Sequence, residues 1–214
     1  MKSSEYLNIV SGRRFCIVTD PPFNVGYHYA TYKDNMNEAD YYEMLADIFK
    51  VDPFVVVHYP EQICRLSIET GRTPEKIVSW VYNSNTAKQH RDIAFYGVRP
   101  DFRKVTQPYK NPNDKRIQKL IAKGRTGARL YDWWNVNQVK NVSSEKTDHP
   151  CQMPEEVMDN AIGILPEEID LIIDPFMGSG TTGVSAQKLG LDFVGIELDE
   201  NYFKIARERL EAQK

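Results

Sequence analysis

The sequence predicts a doubly wound α/β fold, with helices over both faces of a mostly parallel sheet. Three observations carry this. Short apolar runs at 15–19, 54–57, 169–173 and 192–196 read as strands, the first three buried on both faces. Residues 37–50, 61–70 and 184–190 have the composition and stop signals of helices. The turn after 169–173 is glycine-rich and opens directly into a helix, which is the local plan of a nucleotide-cofactor site.

The elements follow in order. After the strand at 15–19, Asn37 caps a helix whose Tyr41, Met44, Leu45 and Ile48 recur at three- and four-residue spacing. The strand at 54–57 precedes a helix at 61–70 that Gly71 stops. Residues 77–82 and 93–98 read as two more strands, with Trp80 in the core. Residues 153–165 read as a helix leading into the strand at 169–173. The helix at 184–190 closes on Gly190, and the strand at 192–196 ends in Glu197.

A length of 214 residues suits one domain, residues 1–214, with a sizeable core. No apolar run is long enough for a membrane span, and residues 1–6 lack the apolar stretch of a signal peptide. Cys16, Cys64 and Cys151 are odd in number and widely spaced, which suits reduced thiols in the cytoplasm and no zinc site. No repeat or low-complexity segment is present. The expectation is a cytoplasmic protein with no metal and no membrane partner.

The glycine loop is Asp174-Pro175-Phe176-Met177-Gly178-Ser179-Gly180-Thr181-Thr182-Gly183. Glycines let backbone approach a ligand without a Cβ clash, and the helix start offers unpaired N–H groups. Thr181 follows Gly180 where a P-loop needs lysine, so a triphosphate site is excluded. Gly178, Gly180 and Gly183 do satisfy the dinucleotide pattern G-x-G-x-x-G, which keeps NAD in play. Glu197 lies 19 positions past Gly178, the interval that places an acid against ribose hydroxyls.

A second motif, Asp20-Pro21-Pro22-Phe23, stands at the carboxyl end of the first strand, where open α/β sheets hold ligands. Two prolines remove two N–H donors and leave carbonyls free to accept. A carboxylate and a carbonyl beside an aromatic ring suit an amino group on a flat base, with the Phe23 ring stacking on it.

These residues resemble the DNA amino-methyltransferase family. Asp20-Pro21-Pro22-Phe23 resembles its catalytic Asp-Pro-Pro-Tyr/Phe motif, and Asp174-Pro175-Phe176-Met177-Gly178-Ser179-Gly180-Thr181-Thr182 its S-adenosylmethionine motif. Catalytic motif first and cofactor motif last is the permuted order of the family's β group. Gly195-Ile196-Glu197-Leu198-Asp199, with Tyr202, Ala206 and Arg207, resembles its next segment. His149-Pro150-Cys151-Gln152-Met153-Pro154 is similar to its His-Pro-Thr-Gln-Lys-Pro segment, with Met153 at the lysine position. The first motif displaces NAD, since hydride transfer has no use for it.

The resemblance implies a Rossmann-like, S-adenosylmethionine-dependent methyltransferase fold. It implies methyl transfer to an exocyclic amine in double-stranded DNA, on a base turned out of the duplex. Adenine N6 is expected, because aspartate in the first motif is typical of adenine enzymes and serine is commoner in cytosine-N4 enzymes. Cytosine N4 is the alternative, followed by an RNA-directed or inactive relative. Asp20, Pro21, Pro22 and Phe23 are the expected catalytic residues. Asp174, Phe176, Gly178, Ser179, Gly180, Thr181, Thr182 and Glu197 are the expected cofactor residues. A prokaryotic or phage source is implied, with a restriction-modification role and room for a homodimer. Pro150-Cys151-Gln152 matches the nucleophile motif of cytosine-C5 enzymes, but it precedes the cofactor loop instead of following it, so no catalytic thiol is expected.

Residues 84–131 hold twelve lysines and arginines against three aspartates, in a chain of net charge −3. Such asymmetry is the footprint of a polyanion-facing surface. The segment is expected to be a loop-rich insertion that recognises DNA through Lys88, Arg91, Arg103, Lys104, Lys115, Arg116, Lys119, Lys123, Arg125 and Arg129. Lys115, Arg116, Lys119 and Lys123 have the spacing of one helical face and are assigned to phosphates. Of the adjacent Trp133 and Trp134, one is expected to be exposed, since both cannot face one core.

Overall fold

The computed structural model describes residues 10, 12–27 and 32–213; residues 1–6, examined above for a leader, lie outside them. The strands are β1 (Phe15–Thr19), β2 (Phe54–His58), β3 (Lys76–Val81), β4 (His90–Tyr96), β5 (Thr106–Gln107), β6 (Ala128–Arg129), β7 (Trp133–Asn135), β8 (Leu171–Asp174) and β9 (Asp192–Gly195). The helices are α1 (Glu38–Ile48), α2 (Pro60–Thr70), α3 (Lys115–Ile121), α4 (Glu155–Gly163), α5 (Thr181–Lys188) and α6 (Glu200–Glu211). None of the described helices is long and apolar enough to cross a membrane.

Local chemistry accounts for the helix ends. The Asn37 side chain accepts from the Ala39 N–H at 2.9 Å, with Glu38 and Asp40 in the first turn of α1. Pro60 starts α2, where its missing N–H costs nothing, and Gly71 ends it in the left-handed conformation at φ 65°. The Asp199 side chain caps α6 by accepting from the N–H groups of Asn201 and Tyr202.

Seven strands form one sheet in the order β7-β3-β4-β2-β1-β8-β9, and β4 alone runs against the rest. Side chains alternate between its faces. Cys16, Val18, Val55, Val57, Ile93, Phe95 and Ile172 pack with α4 and α5 residues on one face. Ile17, Phe54, Val56, Ala94, Tyr96 and Ile173 pack with α1 and α2 residues on the other. This is the doubly wound α/β sheet that the apolar runs predict.

The chain leaves β1 through α1 toward β2, and leaves β8 through α5 toward β9, in opposite directions along the sheet. β1 and β8 are parallel neighbours, with Ile17 opposite Ile173. Their carboxyl ends therefore flank the topological switch point, where open α/β sheets hold their ligands.

Residues 84–131 are not one insertion, because β4 lies inside them and pairs with both β2 and β3. The strand at 90–96 pairs with partners distant in sequence, which charge counting does not register. The part outside the large sheet is the β5–β6 ribbon with α3 between its strands. The stretch expected to be loop-rich thus contains a helix, α3, capped by Asp114.

Candidate active site

Asp20 follows β1 directly, and its side chain is 15% exposed. Its Oδ1 is buried without a hydrogen-bond partner, while Oδ2 lies 3.9 Å from the Arg91 guanidinium. Burial pushes the Asp20 carboxyl up to about 7, Arg91 opposes the rise and nearby Asp174 adds to it.

The two prolines are held from below. The Tyr41 hydroxyl donates to the Pro22 carbonyl at 2.6 Å, so its oxygen is left to accept from His58 Nε2 at 2.8 Å. The Tyr59 N–H donates to His58 Nδ1, which assigns His58 as the neutral Nε2–H tautomer. Burial first, then the cations Arg91 and Lys88, lower the His58 pKa to about 3, which agrees with that assignment. No hydrogen bond reaches the Pro21 carbonyl among the described residues. The Phe23 ring stacks on His58 at 4.3 Å and carries the Arg91 guanidinium 4.7 Å from its centroid.

Asp174, at the end of β8, is saturated by comparison. Its Oδ1 accepts from the Thr19 hydroxyl at 2.6 Å and from the Phe176 N–H at 3.0 Å, and Thr182 also bonds the carboxylate. Burial still raises its pKa to about 6 against these bonds. Asp174 ties β1 to β8 and shapes the turn between β8 and α5.

The glycine loop is fixed by its neighbours. The Gly178 N–H donates to Glu197 Oε2 at 3.0 Å. Gly178 has φ 50°, and a Cβ there would lie 2.9 Å from His149 Nε2. Gly180 has φ 79°, and a Cβ there would lie 2.9 Å from the Ala206 side chain of α6. Both glycines are thus required by positive φ and by protein contacts, beyond the ligand approach inferred from the motif. Arg209 donates to the Ser179 carbonyl, to the hydroxyls of Ser179 and Thr181, and to Glu155.

The two strand ends share one cavity of about 560 Å³. The Asp20–Phe23 motif and the glycine loop line it, together with Glu197, His149, Tyr202 and Asp34. Its size suits a cofactor with room beside it, since ligand pockets run from about 300 to 1,000 Å³. All twelve motif residues expected at the site except Gly180 line this cavity; Gly180 packs against α6 instead.

The expected DNA residues divide. Lys115, Arg116, Lys119, Lys123, Arg125 and Arg129 are exposed on and around α3 and the ribbon. Arg103 forks onto Asp101, Lys104 donates to the Leu165 carbonyl, and Lys88 sits 3.9 Å from the centre of the Tyr59 ring. Arg91 is a cavity residue and not a surface cation, because β4 carries it into the sheet beside Asp20. Trp133 is 42% exposed and Trp134 is buried, as expected of the pair.

Sequence reading missed Asp34 and Arg209, placed Arg91 on the DNA-facing surface instead of in the cavity, and gave Leu198 no role of its own. The buried Asp34 carboxylate accepts from the N–H groups of Asn24, Val25 and Tyr27, and so ties down the loop after Phe23. Leu198 stands 85% exposed on the cavity rim, and its place directly after Glu197 was the available signal.

The chain is 28% identical to the type II methyltransferase M.HpaI of Haemophilus parainfluenzae, over 92% of this chain and 68% of that protein. It is 41% identical to M2.DpnII of Streptococcus pneumoniae, over 47% of this chain and 40% of that one. Among solved structures, the M1.HpyAVI–SAM complex superposes with a TM-score of 0.58 at 22% identity, covering 98% of this chain and 97% of that one. The cytosine-N4-specific PvuII DNA methyltransferase superposes with a TM-score of 0.63 at 16% identity, covering 92% and 79%. The family model for DNA methylase, N6_N4_Mtase, matches residues 49–208, well over half the length. The chain therefore belongs to the DNA methylase family of amino-methyltransferases.

Proposed function

We propose that the protein moves a methyl group from S-adenosylmethionine to an exocyclic amine of a base in DNA, with adenine N6 as the acceptor. The observation that carries this is the unpartnered Oδ1 of Asp20, buried in the cavity that the glycine loop also lines. A buried acceptor left open is costly unless a donor arrives, and an amino group brings two N–H donors.

S-adenosylmethionine supplies an electrophilic methyl group when bound. Glu197 is the residue for its ribose hydroxyls, and Leu198 with Ile196 and Phe176 offers apolar walls for its adenine. The lone pair of an exocyclic amine is delocalised into the ring and is a poor nucleophile. Asp20 and the Pro21 carbonyl accept its hydrogens, draw the nitrogen toward tetrahedral geometry and stabilise the charge it gains. The buried walls hold the reacting groups in line, which supplies much of the rate. The target base must leave the duplex to reach Asp20. Phe23 is already stacked on His58, so it acts as one wall of the base pocket. The exposed cations on α3 and the ribbon are the DNA-facing surface, in a single methyltransferase domain.

The test is modified-base sequencing of plasmid from cells that express the protein. Methylated adenine at a fixed site supports the proposal. Methylated cytosine N4 moves the acceptor to the alternative base. Unmodified DNA from cells with abundant folded protein overturns the reading.

A further inference from the structure

We propose that Arg91 is a positioning residue for Asp20: it supplies, from β4, the positive charge that holds the Asp20 carboxylate as an acceptor, where Met153 leaves its own segment without a cation. One Arg91 guanidinium nitrogen lies 3.9 Å from Asp20 Oδ2 and 3.7 Å from the sulfur of Met153. The arginine is thus seated against the side chain that occupies the lysine position of the His149-to-Pro154 segment. Its plane is held among aromatic rings, 4.7 Å from Phe23 and 5.2 Å from Trp80. Its Nε is buried with no hydrogen-bond partner.

The surroundings leave the task to this residue. Asp20 is faced by Arg91 from β4, Asp174 from the end of β8, Tyr41 from α1 and Tyr82 just past β3. Asp174 is a like charge, the tyrosines are neutral hydroxyls at working pH, and His58 is the neutral tautomer. Among the described residues, only Arg91 brings a cation within ion-pair reach of Asp20. The 3.9 Å gap is too long for a hydrogen bond. The charge therefore acts on Asp20 without occupying its lone pairs, and Oδ1 stays open to a donor.

The proposal deepens the methyl-transfer reading and rests on it for the activity measurement alone. The experiment compares wild type, Arg91→Gln and Arg91→Met/Met153→Lys. The Asp20 carboxyl carbon is titrated by ¹³C NMR without DNA, and kcat on plasmid DNA is measured against pH at saturating cofactor. Removing an arginine beside a carboxylate should raise the Asp20 midpoint by about one pH unit or more. The acid limb of kcat should move with it, so turnover at pH 7 falls about fivefold or more and recovers at higher pH. S-adenosylhomocysteine affinity should stay within about threefold, since Arg91 is assigned no contact with the cofactor. The double variant should return both midpoints toward wild type. An unchanged Asp20 titration in folded Arg91→Gln overturns the proposal. A double variant that titrates like Arg91→Gln overturns the relation to position 153. If Arg91→Gln does not fold, the double variant decides, because it keeps the net charge: a wild-type midpoint supports the proposal and a raised one overturns it. Wild type that titrates normally but methylates nothing defeats the functional reading, not this one.

Discussion

Asp20 and Asp174 stand at the carboxyl ends of adjacent parallel strands, each followed by proline and close to a phenylalanine. Asp174 is buried and Asp20 is partly buried with its Oδ1 covered, and desolvation raises both pKa values. Their bonding differs. Asp174 gathers the Thr19 hydroxyl, the Phe176 N–H and the Thr182 side chain, and so stitches β1 to β8. Asp20 leaves one oxygen with no partner and faces a cation across 3.9 Å. A saturated carboxylate is a structural brace. An unsaturated one in the same cavity is a cost that folding alone does not repay, which fits the proposed place of Asp20 at the reactive end.

The sharpest way to break the comparison is to neutralise each carboxylate and measure both turnover and stability. Asp20→Asn should lower methyl transfer by about 10²-fold or more, the scale of losing a group that stabilises developing charge. Its stability should move the other way. The Asp20 pKa is raised in the fold, so the protonated form is the stabilising one. That contribution is complete below the unfolded value near 3.8 and is lost as pH rises through about 7. Asp20→Asn should therefore match wild type in melting temperature near pH 4 and exceed it above pH 7. Wild-type kcat should climb with pH through the same region. A melting curve that drops at every pH would make Asp20 a brace like its neighbour.

Asp174→Ala should cost about 3 kcal/mol of stability, because it strands several buried donors at once. In a chain of this length that lowers the melting temperature by roughly 10 °C, read by calorimetry. Full stability in this variant would erase the contrast.

A smaller effect is expected from the surface. Changing Lys115, Arg116, Lys119 and Lys123 to glutamine should weaken DNA binding in low salt by more than about tenfold, since each lost phosphate contact flattens the salt slope by about 0.9. Cofactor affinity should not change. Wild-type DNA affinity across a salt titration would show these cations to be solvated surface.

The smallest effect is expected at Cys151. Cys151→Ser should keep turnover within about twofold of wild type, because direct transfer to an amine needs no thiol nucleophile. A folded but inactive serine variant, or a covalent complex with 5-fluorocytosine DNA, would place a second reactive group in the cavity.

Much of the site was legible because its signals are local. Asp20-Pro21-Pro22-Phe23 and the 174–183 loop each sit at a strand end within a few residues of sequence. The same holds for Asn37 as a cap and Gly71 as a stop, whose partners lie within one helical turn. Arg91 was read as a DNA cation because charge counting weighs neighbours along the chain, whereas its partners Asp20 and Met153 are brought to it through strand pairing. Asp34 was overlooked for a related reason: an isolated aspartate gives no sign that three N–H groups converge on it.

The sequence by itself determined the runs that became β1 to β4, β8 and β9, the helix ends at Asn37 and Gly71, the glycine loop and the order of the two motifs, since each follows from periodicity or from a residue's own backbone preference; the short strands β5 to β7 and the helix α6 were not read from it. The tertiary structure alone decided which strands are neighbours, and with that the rest of the site. Pairing β1 with β8 put two aspartates at one switch point and let the Thr19 hydroxyl satisfy only one of them. Pairing β4 against β2 and β3 turned a basic residue inward to face the other. Strand pairing is a contact between distant parts of the chain, selected by the packing of the whole core, and no local run of residues encodes it.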